Sequence, residues 1–471
     1  MNARSMYPRA RALPCACGTQ IPLARIGWRR RVLALAAVVA LSPTLAAASG
    51  FATREQSASQ LGTAFAGAAA TADDISTIYF NPAGLTRQSG DRGLLSLSVV
   101  APKAEFHPQR ATTVTGATIS GGNGGSDAAG DGVIPALYAF WDASPDLKAG
   151  LGINAPYALS TRYAPDWVGR YHTTTSEIET VSINPVVAYR VTDALSIGGG
   201  PQIDYTKTKL ANAIDFGTLD VARFSGSHGG VPGRNDGSTV VQGDDWGLGY
   251  SLGGLYELDG DTRIGAAYRS RVRHQLSGMA RFDRGGAVGN GISGASGAFV
   301  DTGAKASLDL PETLSFGITR DVSPDWRLSF GSEWTNWSRV EQIRIRFENT
   351  AQSDSVLNLR WKDTWFHSVG ATYRLRDNTR LRFGAAYDQT PTTDATRSPR
   401  LPDSDRYWLS AGVEYRPAAS IAIDFAYTHI FMDAARLALS TADSSNTFRG
   451  NLAGTYDTSI DILALQIRFD L

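Results

Sequence analysis

After residue 48 the chain lacks cysteine, and it also lacks any apolar run long enough to cross a membrane as a helix. Its two cysteines are Cys15 and Cys17. The remainder therefore cannot contain disulfides, cysteine-ligated zinc or a cysteine nucleophile. A membrane helix needs roughly 18 apolar residues, which no later stretch approaches. A membrane location would thus require a closed β-barrel, the other fold that satisfies every backbone polar group in hydrocarbon.

The first 48 residues lack acidic side chains and are rich in arginine. Residues 1–48 contain seven Arg and no Asp or Glu. Arg29–Arg31 precede the apolar run Val32–Leu41, and Ala46–Ala48 supplies small residues at a cleavage point, which predicts a secretory signal peptide. The formal balance of 45 basic and 45 acidic groups then becomes 38 against 45, a net charge of −7 for residues 49–471. This charge excludes a basic nucleic-acid-binding protein, so no nucleic-acid partner is predicted.

Strict alternation of apolar and polar residues is the strongest pattern after residue 90. Leu463, Leu465 and Ile467 share one face of a C-terminal strand, and Gln466 and Arg468 share the other. A soluble β-sandwich also alternates, so loop lengths have to decide. Turns of two to four residues alternate with long loops, which is typical of outer-membrane barrels. The predicted strands begin near residues 93, 132, 147, 177, 194, 245, 262, 305, 325, 361, 379, 406, 420 and 458.

We therefore predict an all-β transmembrane barrel of fourteen antiparallel strands over residues 91–471. Such a barrel encloses a lumen too wide for its own side chains to fill. Residues 49–90 show no alternation but are rich in small apolar residues. They predict a compact N-terminal hatch inside the lumen, the alternative being a flexible periplasmic segment.

Aromatic residues cluster near the ends of several predicted strands. Trp334, Trp337, Trp361 and Trp365 are examples. Such rings favour the membrane interface, which is the location predicted here. Packing within a sheet is the alternative.

A series of short motifs runs through the chain in order. They are Ser49–Phe51, Leu61–Gly67, Ala72–Asp74, Asn81–Ala83, Asp245–Tyr250, Leu255–Leu258, Tyr268–Ser270, Leu310–Glu312, Trp334–Ser338 and Pro402–Gly412. This ordered set resembles the FadL family of outer-membrane fatty-acid transporters, whose TodX branch carries aromatic hydrocarbons. The resemblance implies a fourteen-stranded barrel with a hatch, in the outer membrane of a Gram-negative cell, that passes hydrophobic molecules through an opening in its wall.

The resemblance also suggests roles for residues near the N-terminus. Phe51 falls where family members point the N-terminus into the main ligand pocket, although packing within the hatch is an alternative. Asn81, Pro82 and Ala83 match the hatch motif. The loops near residues 208–243 and 276–303 would form an outer groove that captures the ligand.

The third predicted strand contains Gly150, Gly152 and Pro156. Proline removes a donor from the ladder and glycine weakens side-chain packing, so a local break in the wall is expected. This break matches the kinked third strand of the family and would be a lateral exit into the membrane. An ordinary proline at a strand end is the alternative.

Lys207 and Lys209 lie two residues apart and so share one face of the fifth strand. They are predicted ligand-binding residues, because a carboxylate head group needs a cation or hydrogen-bond donors. Solvated charges at the base of a loop are the alternative.

Signals for an enzyme, a metal or a cofactor are weak. The six histidines are dispersed without a close pair, and no Gly-x-Ser-x-Gly nucleophile elbow occurs in a strand-turn-helix context. No catalytic residue, metal or cofactor is predicted. The predicted partners are a long-chain fatty acid or other hydrophobic ligand and outer-membrane lipids, with the chain a monomer. An aromatic-hydrocarbon channel, a general porin and an outer-membrane lipid hydrolase remain alternatives.

Overall fold

The described chain folds into one antiparallel β-sheet that closes on itself. The computed structural model describes residues 50–125 and 127–471. Within them the sheet has nineteen strands, and pairing of the first with the last closes it. The strands are β1 Arg92–Thr112, β2 Gly132–Trp141, β3 Leu147–Arg162, β4 Thr175–Arg190, β5 Leu195–Asp215, β6 Asp236–Glu257, β7 Thr262–Arg269, β8 Val272–Asp283, β9 Thr302–Leu310, β10 Thr313–Asp321, β11 Trp326–Thr335, β12 Gln342–Phe347, β13 Ser355–Asn358, β14 Thr364–Arg376, β15 Thr379–Asp388, β16 Arg406–Ala418, β17 Ile421–Met432, β18 Ala435–Leu439 and β19 Asn451–Asp470.

These nineteen strands make fourteen barrel strands, because five consecutive pairs each continue one barrel strand. β7 and β8, for example, both pair with β6 on one side and with β10 and β9 on the other. The other four pairs are β9 with β10, β11 with β12, β13 with β14 and β17 with β18. Closure through β1 and β19 removes the two free edges of the sheet, as a bilayer requires. The predicted fourteen-stranded antiparallel barrel is confirmed.

Alternation along the strands separates the lipid-facing surface from the lumen. On β19, Leu463 and Leu465 are 48% and 46% exposed, whereas the alternate residues Ala464 and Gln466 are buried. Successive side chains of a strand point to opposite faces, so one face of each strand meets lipid and the other meets the lumen. Apolar residues outside and polar residues inside are the arrangement expected of a membrane barrel.

Short turns and long loops alternate around the barrel, as the sequence predicts. β10 and β11, for instance, are joined by residues 322–325, whereas β15 and β16 are joined by residues 389–405. Two of the long loops carry helices, α4 (Phe216–Phe224) and α5 (Ala287–Ser296). The long loops therefore form a structured cap at one end of the barrel.

Residues 50–90, the hatch, fill the lumen. Three short helices, α1 (Ala58–Leu61), α2 (Ala68–Thr71) and α3 (Thr77–Phe80), precede a 3-10 helix, Pro82–Arg87. Helix α1 contacts β16, β17 and β19, and α2 contacts β7 and β10. The predicted hatch is confirmed.

The predicted signal peptide, residues 1–48, lies outside the described residues and stays a prediction. None of the helices described here has the length and apolar character needed to cross a bilayer.

Polar side chains tie the hatch to the wall. Gln466 on β19 accepts a hydrogen bond from the Ala58 N–H at 3.1 Å, and its amide donates to Asp74 at 3.0 Å. Asp73 forms an ion pair with Arg327 on β11. These bonds satisfy lumen-facing groups that would otherwise be buried without partners. The hatch is thus fixed at several points and blocks a simple aqueous channel.

Candidate functional site

A cavity of about 520 Å³, the outer cavity, lies among the long loops between helices α4 and α5 and strands β12 and β13. Phe216 and Phe299 bring the two predicted capture loops together there, with ring centroids 5.0 Å apart. Slightly more than half of its wall is hydrophobic, and the rest is polar. The larger aliphatic and phenylalanine residues that line it are Leu210, Ile214, Leu219, Phe224, Val241, Phe282, Ile292, Phe299, Ile343, Ile345, Phe347, Val356, Leu357 and Phe448.

Three arginines that line this cavity, Arg223, Arg400 and Arg449, have no carboxylate oxygen of the described residues within 4.0 Å, whereas Arg344 pairs with Asp354 at 3.1 Å. Arg223 is exposed, with its guanidinium over the Phe448 ring. Arg400 is buried and Arg449 is partly buried, with Asp443 attracting Arg449 from a greater distance. Neutral groups hold the two arginines instead: Arg400 donates to Ser176 Oγ at 3.0 Å. Burial lowers the pKa of both guanidinium groups, because the charged form loses hydration. An anion in the cavity would remove this cost.

A narrow apolar space of about 40 Å³ continues from the outer cavity into the barrel. It shares Leu210 and Ile343 with the outer cavity. Its other apolar residues, Ile178, Leu276 and Leu308, belong to a buried cluster that surrounds Phe51. Apolar side chains thus follow one another from the loops to the hatch, and we call this series of side chains the apolar path.

An aromatic box encloses Phe51 at the inner end of this path. The Phe51 side chain is buried, and its ring centroid lies 5.0 Å from that of Trp337, 5.7 Å from that of Trp361 and 5.8 Å from that of Tyr157. Its neighbour Gly50 donates its N–H to Asp403 at 3.1 Å. The first described residues of the hatch therefore occupy the end of the apolar path, as the resemblance implies for the N-terminus.

The predicted interface position of Trp337 and Trp361 is wrong. Both are buried inside the barrel, whereas Trp365 is exposed on the outside. The reason is that the ladder breaks between β11 and β12 and between β13 and β14, so these two tryptophans lie outside the alternation of the strands. Trp337 starts a 3-10 helix of three residues.

The wall opens between β2 and β3. Their pairing ends at Leu137 opposite Ile153, although residues 132–136 of β2 remain paired with β1. The register between β3 and β4 shifts between Asn154 and Tyr157, which marks a β-bulge. We call this opening the β2–β3 gap.

The hatch takes the place of β2 along the bulged part of β3. Thr53 donates its N–H to the Pro156 carbonyl at 2.9 Å, and Ala158 donates to the Phe51 carbonyl at 2.8 Å. Beyond the gap, Ala129 bridges Thr161. The β2–β3 gap is therefore bordered by β2 in the wall and by the hatch segment that carries Phe51 in the lumen.

The three predicted residues of the lateral opening do not lie together at this gap. Pro156 lies in the bulge. Gly150 and Gly152 lie below it, in the regular ladder with β2. A Cβ atom on Gly150 would lie 2.6 Å from Ile78 Cδ1, so the absence of a side chain lets helix α3 approach the wall.

The motif Asn81, Pro82 and Ala83 attaches the hatch to the wall. Asn81 Nδ2 donates to the Ala69 carbonyl at 2.6 Å and to the Gly254 carbonyl of β6 at 3.0 Å. Asn81 Oδ1 accepts from the Ala83 N–H and caps the 3-10 helix that Pro82 begins. Ala83 is buried, and the motif thus has a clear structural role.

Lys207 and Lys209 lie away from the cavities. The alternate residues Asp204 and Thr206 of β5 are the buried, lumen-facing ones. Lys209 instead lies 3.7 Å from Glu177 of β4, and neither lysine lines a described cavity. The structure does not bring these lysines to the apolar path. The sequence pattern does not indicate Arg400 and Arg449, because their position in the cavity depends on how long loops pack against one another.

Comparison with known proteins identifies the family. Residues 38–471 match the family described as outer membrane protein transport protein (OMPP1/FadL/TodX). The chain belongs to this family. It is an outer-membrane transport protein for hydrophobic compounds and not an enzyme.

Individual relatives agree with this assignment over most of their length. The long-chain fatty acid transport protein of Escherichia coli is 30% identical over 417 residues, 84% of this chain and 91% of that protein. Outer membrane protein P1 of Haemophilus influenzae is 26% identical, over 84% of this chain and 89% of that protein. The crystal structure of a Pseudomonas aeruginosa FadL homologue superposes with a TM-score of 0.82 at 24% identity, and covers 90% of this chain and all of that one.

Proposed function

We propose that this family member takes up long-chain fatty acids, with Arg400 and Arg449 receiving the carboxylate and the outer cavity receiving the tail. The observation that carries the proposal is two guanidinium groups in the outer cavity, that of Arg400 buried and that of Arg449 partly buried, with no carboxylate oxygen of the described residues within 4.0 Å. A buried cation is costly unless it is paired. A carboxylate would form charge-assisted hydrogen bonds with both arginines. A neutral aromatic hydrocarbon would leave this cost in place.

The tail supplies most of the affinity. Each methylene transferred from water to an apolar site gains about 0.8 kcal/mol, so an eighteen-carbon chain could gain on the order of 10 kcal/mol. The apolar path that leads from the outer cavity to the aromatic box is lined by side chains suited to such a tail. The similarity to a long-chain fatty acid transport protein of Escherichia coli adds support.

Passage through the barrel would be passive. The ligand moves from the outer cavity along the narrow apolar space, displaces Phe51 from the aromatic box and leaves through the β2–β3 gap. Pro156 is the residue of that gap whose missing N–H helps keep β3 out of the ladder. The hatch, tied to the wall through Asn81, argues against a general porin.

Binding to the purified protein tests the role of the two arginines. The ligands are oleate, its methyl ester and toluene, and the variant is Arg400→Met together with Arg449→Met. We expect the double variant to lose about 1.5–3 kcal/mol of oleate affinity, roughly a ten- to hundred-fold change, while binding of the methyl ester changes little.

Arg344→Met is the matched control, because Arg344 lines the same cavity but has its own carboxylate partner. It should have a much smaller effect than the double variant. Equal affinity of the unmodified chain for toluene and oleate, unaffected by any of these substitutions, would favour the aromatic-hydrocarbon alternative.

A further inference from the structure

The β-ladder of the barrel wall is interrupted at several places, one of which is the motif Asp245–Tyr250 of β6. Pairing of β6 with β8 ends at Asp244 opposite Ser277, and pairing of β6 with β7 resumes at Ser251 opposite Arg269. Six residues of β6 therefore face seven residues of the next barrel strand outside the regular register, with one backbone hydrogen bond from the Ser270 N–H to the Tyr250 carbonyl at 2.9 Å. We call this interruption the β6–β8 window.

Side chains supply some of the hydrogen bonds that the ladder lacks in the window. Ser270 Oγ accepts from the Tyr250 N–H at 2.9 Å, and Asp245 Oδ2 accepts from the Gln275 N–H at 2.8 Å. A backbone group inside a membrane needs a partner, and these two side chains provide one at each end of the window. The interruption is thus accommodated by specific residues.

Val272 and His274 fill the window from the inside, and both are buried. Val272 belongs to the apolar cluster that surrounds Phe51, whereas the His274 ring lies 3.5 Å from Asp245 and 3.1 Å from Thr206 Oγ1. A Cβ atom on Gly249 would lie 2.8 Å from Val272 Cγ2 and 2.8 Å from Ser270 Oγ. Since Gly249 has no side chain, Val272 and Ser270 lie directly against the β6 backbone there. Leu248 on the outer surface is 72% exposed.

A cavity of about 90 Å³ reaches the lower edge of the window. The lumen-facing residues Ser251 and Ala267 line it, and so do Leu252 and Tyr268. Leu252 is 53% exposed on the outer surface of the barrel. The wall is therefore thin at the point where the regular ladder stops.

We propose that the β6–β8 window is a second exit, through which the acyl tail of a ligand in the aromatic box passes into the membrane. Displacement of Val272 and His274 opens it, and the exposed apolar residues outside, such as Leu248, lead the tail into lipid. The proposal rests on the proposed function, because it requires a long-chain acid in the box. An acyl tail suits the window because a chain of methylenes needs no hydrogen-bond partner during passage.

A side chain added at Gly249 tests the second exit. Gly249→Val places its methyl groups between Ser270 and Val272, whereas Gly254→Val is a control on the same strand with no atom within 4 Å of its Cβ. Each is combined with deletion of Pro156, which restores the register of β3. Oleate uptake is then measured in cells that lack their own transporter.

We expect deletion of Pro156 to leave part of the uptake, Gly249→Val to lower the remainder at least about two-fold further, and Gly254→Val to leave it unchanged. Complete loss of uptake on deletion of Pro156 alone would overturn the second exit and leave the fatty-acid function intact. Absence of oleate uptake by the unmodified chain would instead contradict the proposed function itself.

A reversible disulfide keeps the test valid if the valine variant folds poorly. The chain has no cysteine after residue 48, so Gly249→Cys with Ser270→Cys introduces one pair only. Oxidation should lower uptake in the Pro156-deleted chain, and a reductant should restore it. The pair Thr319→Cys and Ser329→Cys bridges an uninterrupted ladder, where the two hydroxyl oxygens lie 2.9 Å apart, and should have no effect. Uptake that is the same before and after oxidation of the first pair would overturn the proposal.

Discussion

Phe51 fills the aromatic box that the proposed route assigns to the ligand. Phe51→Ala should vacate this space and increase the affinity for oleate, because the ligand no longer has to displace a buried ring. The loss of packing should also lower the free energy of unfolding by about 3 kcal/mol. Calorimetric titration and denaturant unfolding measure the two effects.

A buried ring elsewhere provides the control for that substitution. Phe106 of β1 is buried against Tyr456 of β19 and against the loop residue Trp167. Phe106→Ala should lower stability to a similar extent without raising oleate affinity. If both variants change the affinity equally, Phe51 does not occupy the ligand position.

The protonation state of His172, which lies near Arg400 and Arg449, bears on how oleate binding depends on pH. Burial, together with the nearby Arg449 and Arg400, lowers the pKa of His172 to about 3. The imidazole therefore stays neutral from pH 5.5 to 8, and oleate binding should be flat over this range. On the acidic side of this range, binding should weaken when the ligand carboxyl protonates, at about pH 4 to 5 for an ordinary carboxylic acid. Titration calorimetry measures the oleate affinity as a function of pH. A change in affinity with a midpoint near pH 6.5, the pKa of about 6.5 of an ordinary histidine, would contradict a neutral His172.

The bulge in β3 is the element that holds the β2–β3 gap open. Deletion of Pro156 removes the extra residue and should allow β3 to rejoin β2, so that oleate uptake falls while binding in the outer cavity persists. β1 has a comparable register shift between Pro108 and Arg110, far from the gap. Deletion of Gln109 there should leave uptake unchanged. Full uptake after deletion of Pro156 would remove the gap from the route.

The hatch depends on Asn81 for its attachment to β6. Asn81→Ala removes the donor to two carbonyls and the cap of the 3-10 helix, which should cost about 1–3 kcal/mol for buried groups left without partners. We expect more frequent open-channel events in planar-bilayer recordings. Asn349→Ala, which removes two exposed loop hydrogen bonds, to the Gly297 carbonyl and from the Ala351 N–H, should not change the conductance. A silent Asn81 variant would mean that the remaining polar contacts suffice to hold the hatch.

Elements could be predicted from the sequence where they depend on local pattern, and not where they depend on packing. Alternation and loop length determine the fourteen barrel strands, and the small residues of the hatch mark it as a separate unit. The inward position of Trp337 depends on a break in the ladder that alternation does not reveal. The burial of Arg400 and Arg449 depends on contacts between loops distant in sequence. The spacing of Lys207 and Lys209 places them on one face of β5, but the pattern does not distinguish lumen from exterior at the end of a strand, and their ligand-binding role stays a prediction.

At the scale of the whole molecule, the charged side chains lie mainly away from the lipid-facing surface. The excess of seven acidic groups in residues 49–471 is distributed over loops, hatch and lumen, while the exterior of the barrel presents apolar side chains to lipid. A closed lumen with an apolar path is suited to a ligand that water dissolves poorly. The monomeric state stays a prediction, which light scattering of the purified barrel can test.

The initial rate of labelled oleate uptake tests the central claim most directly. It is measured in cells that lack their own fatty-acid transporter and produce either this chain or none, with labelled toluene as the comparison. The account predicts saturable oleate uptake that requires the chain and falls sharply when Arg400 and Arg449 are both changed to methionine. Chain-dependent uptake of toluene without uptake of oleate would contradict it.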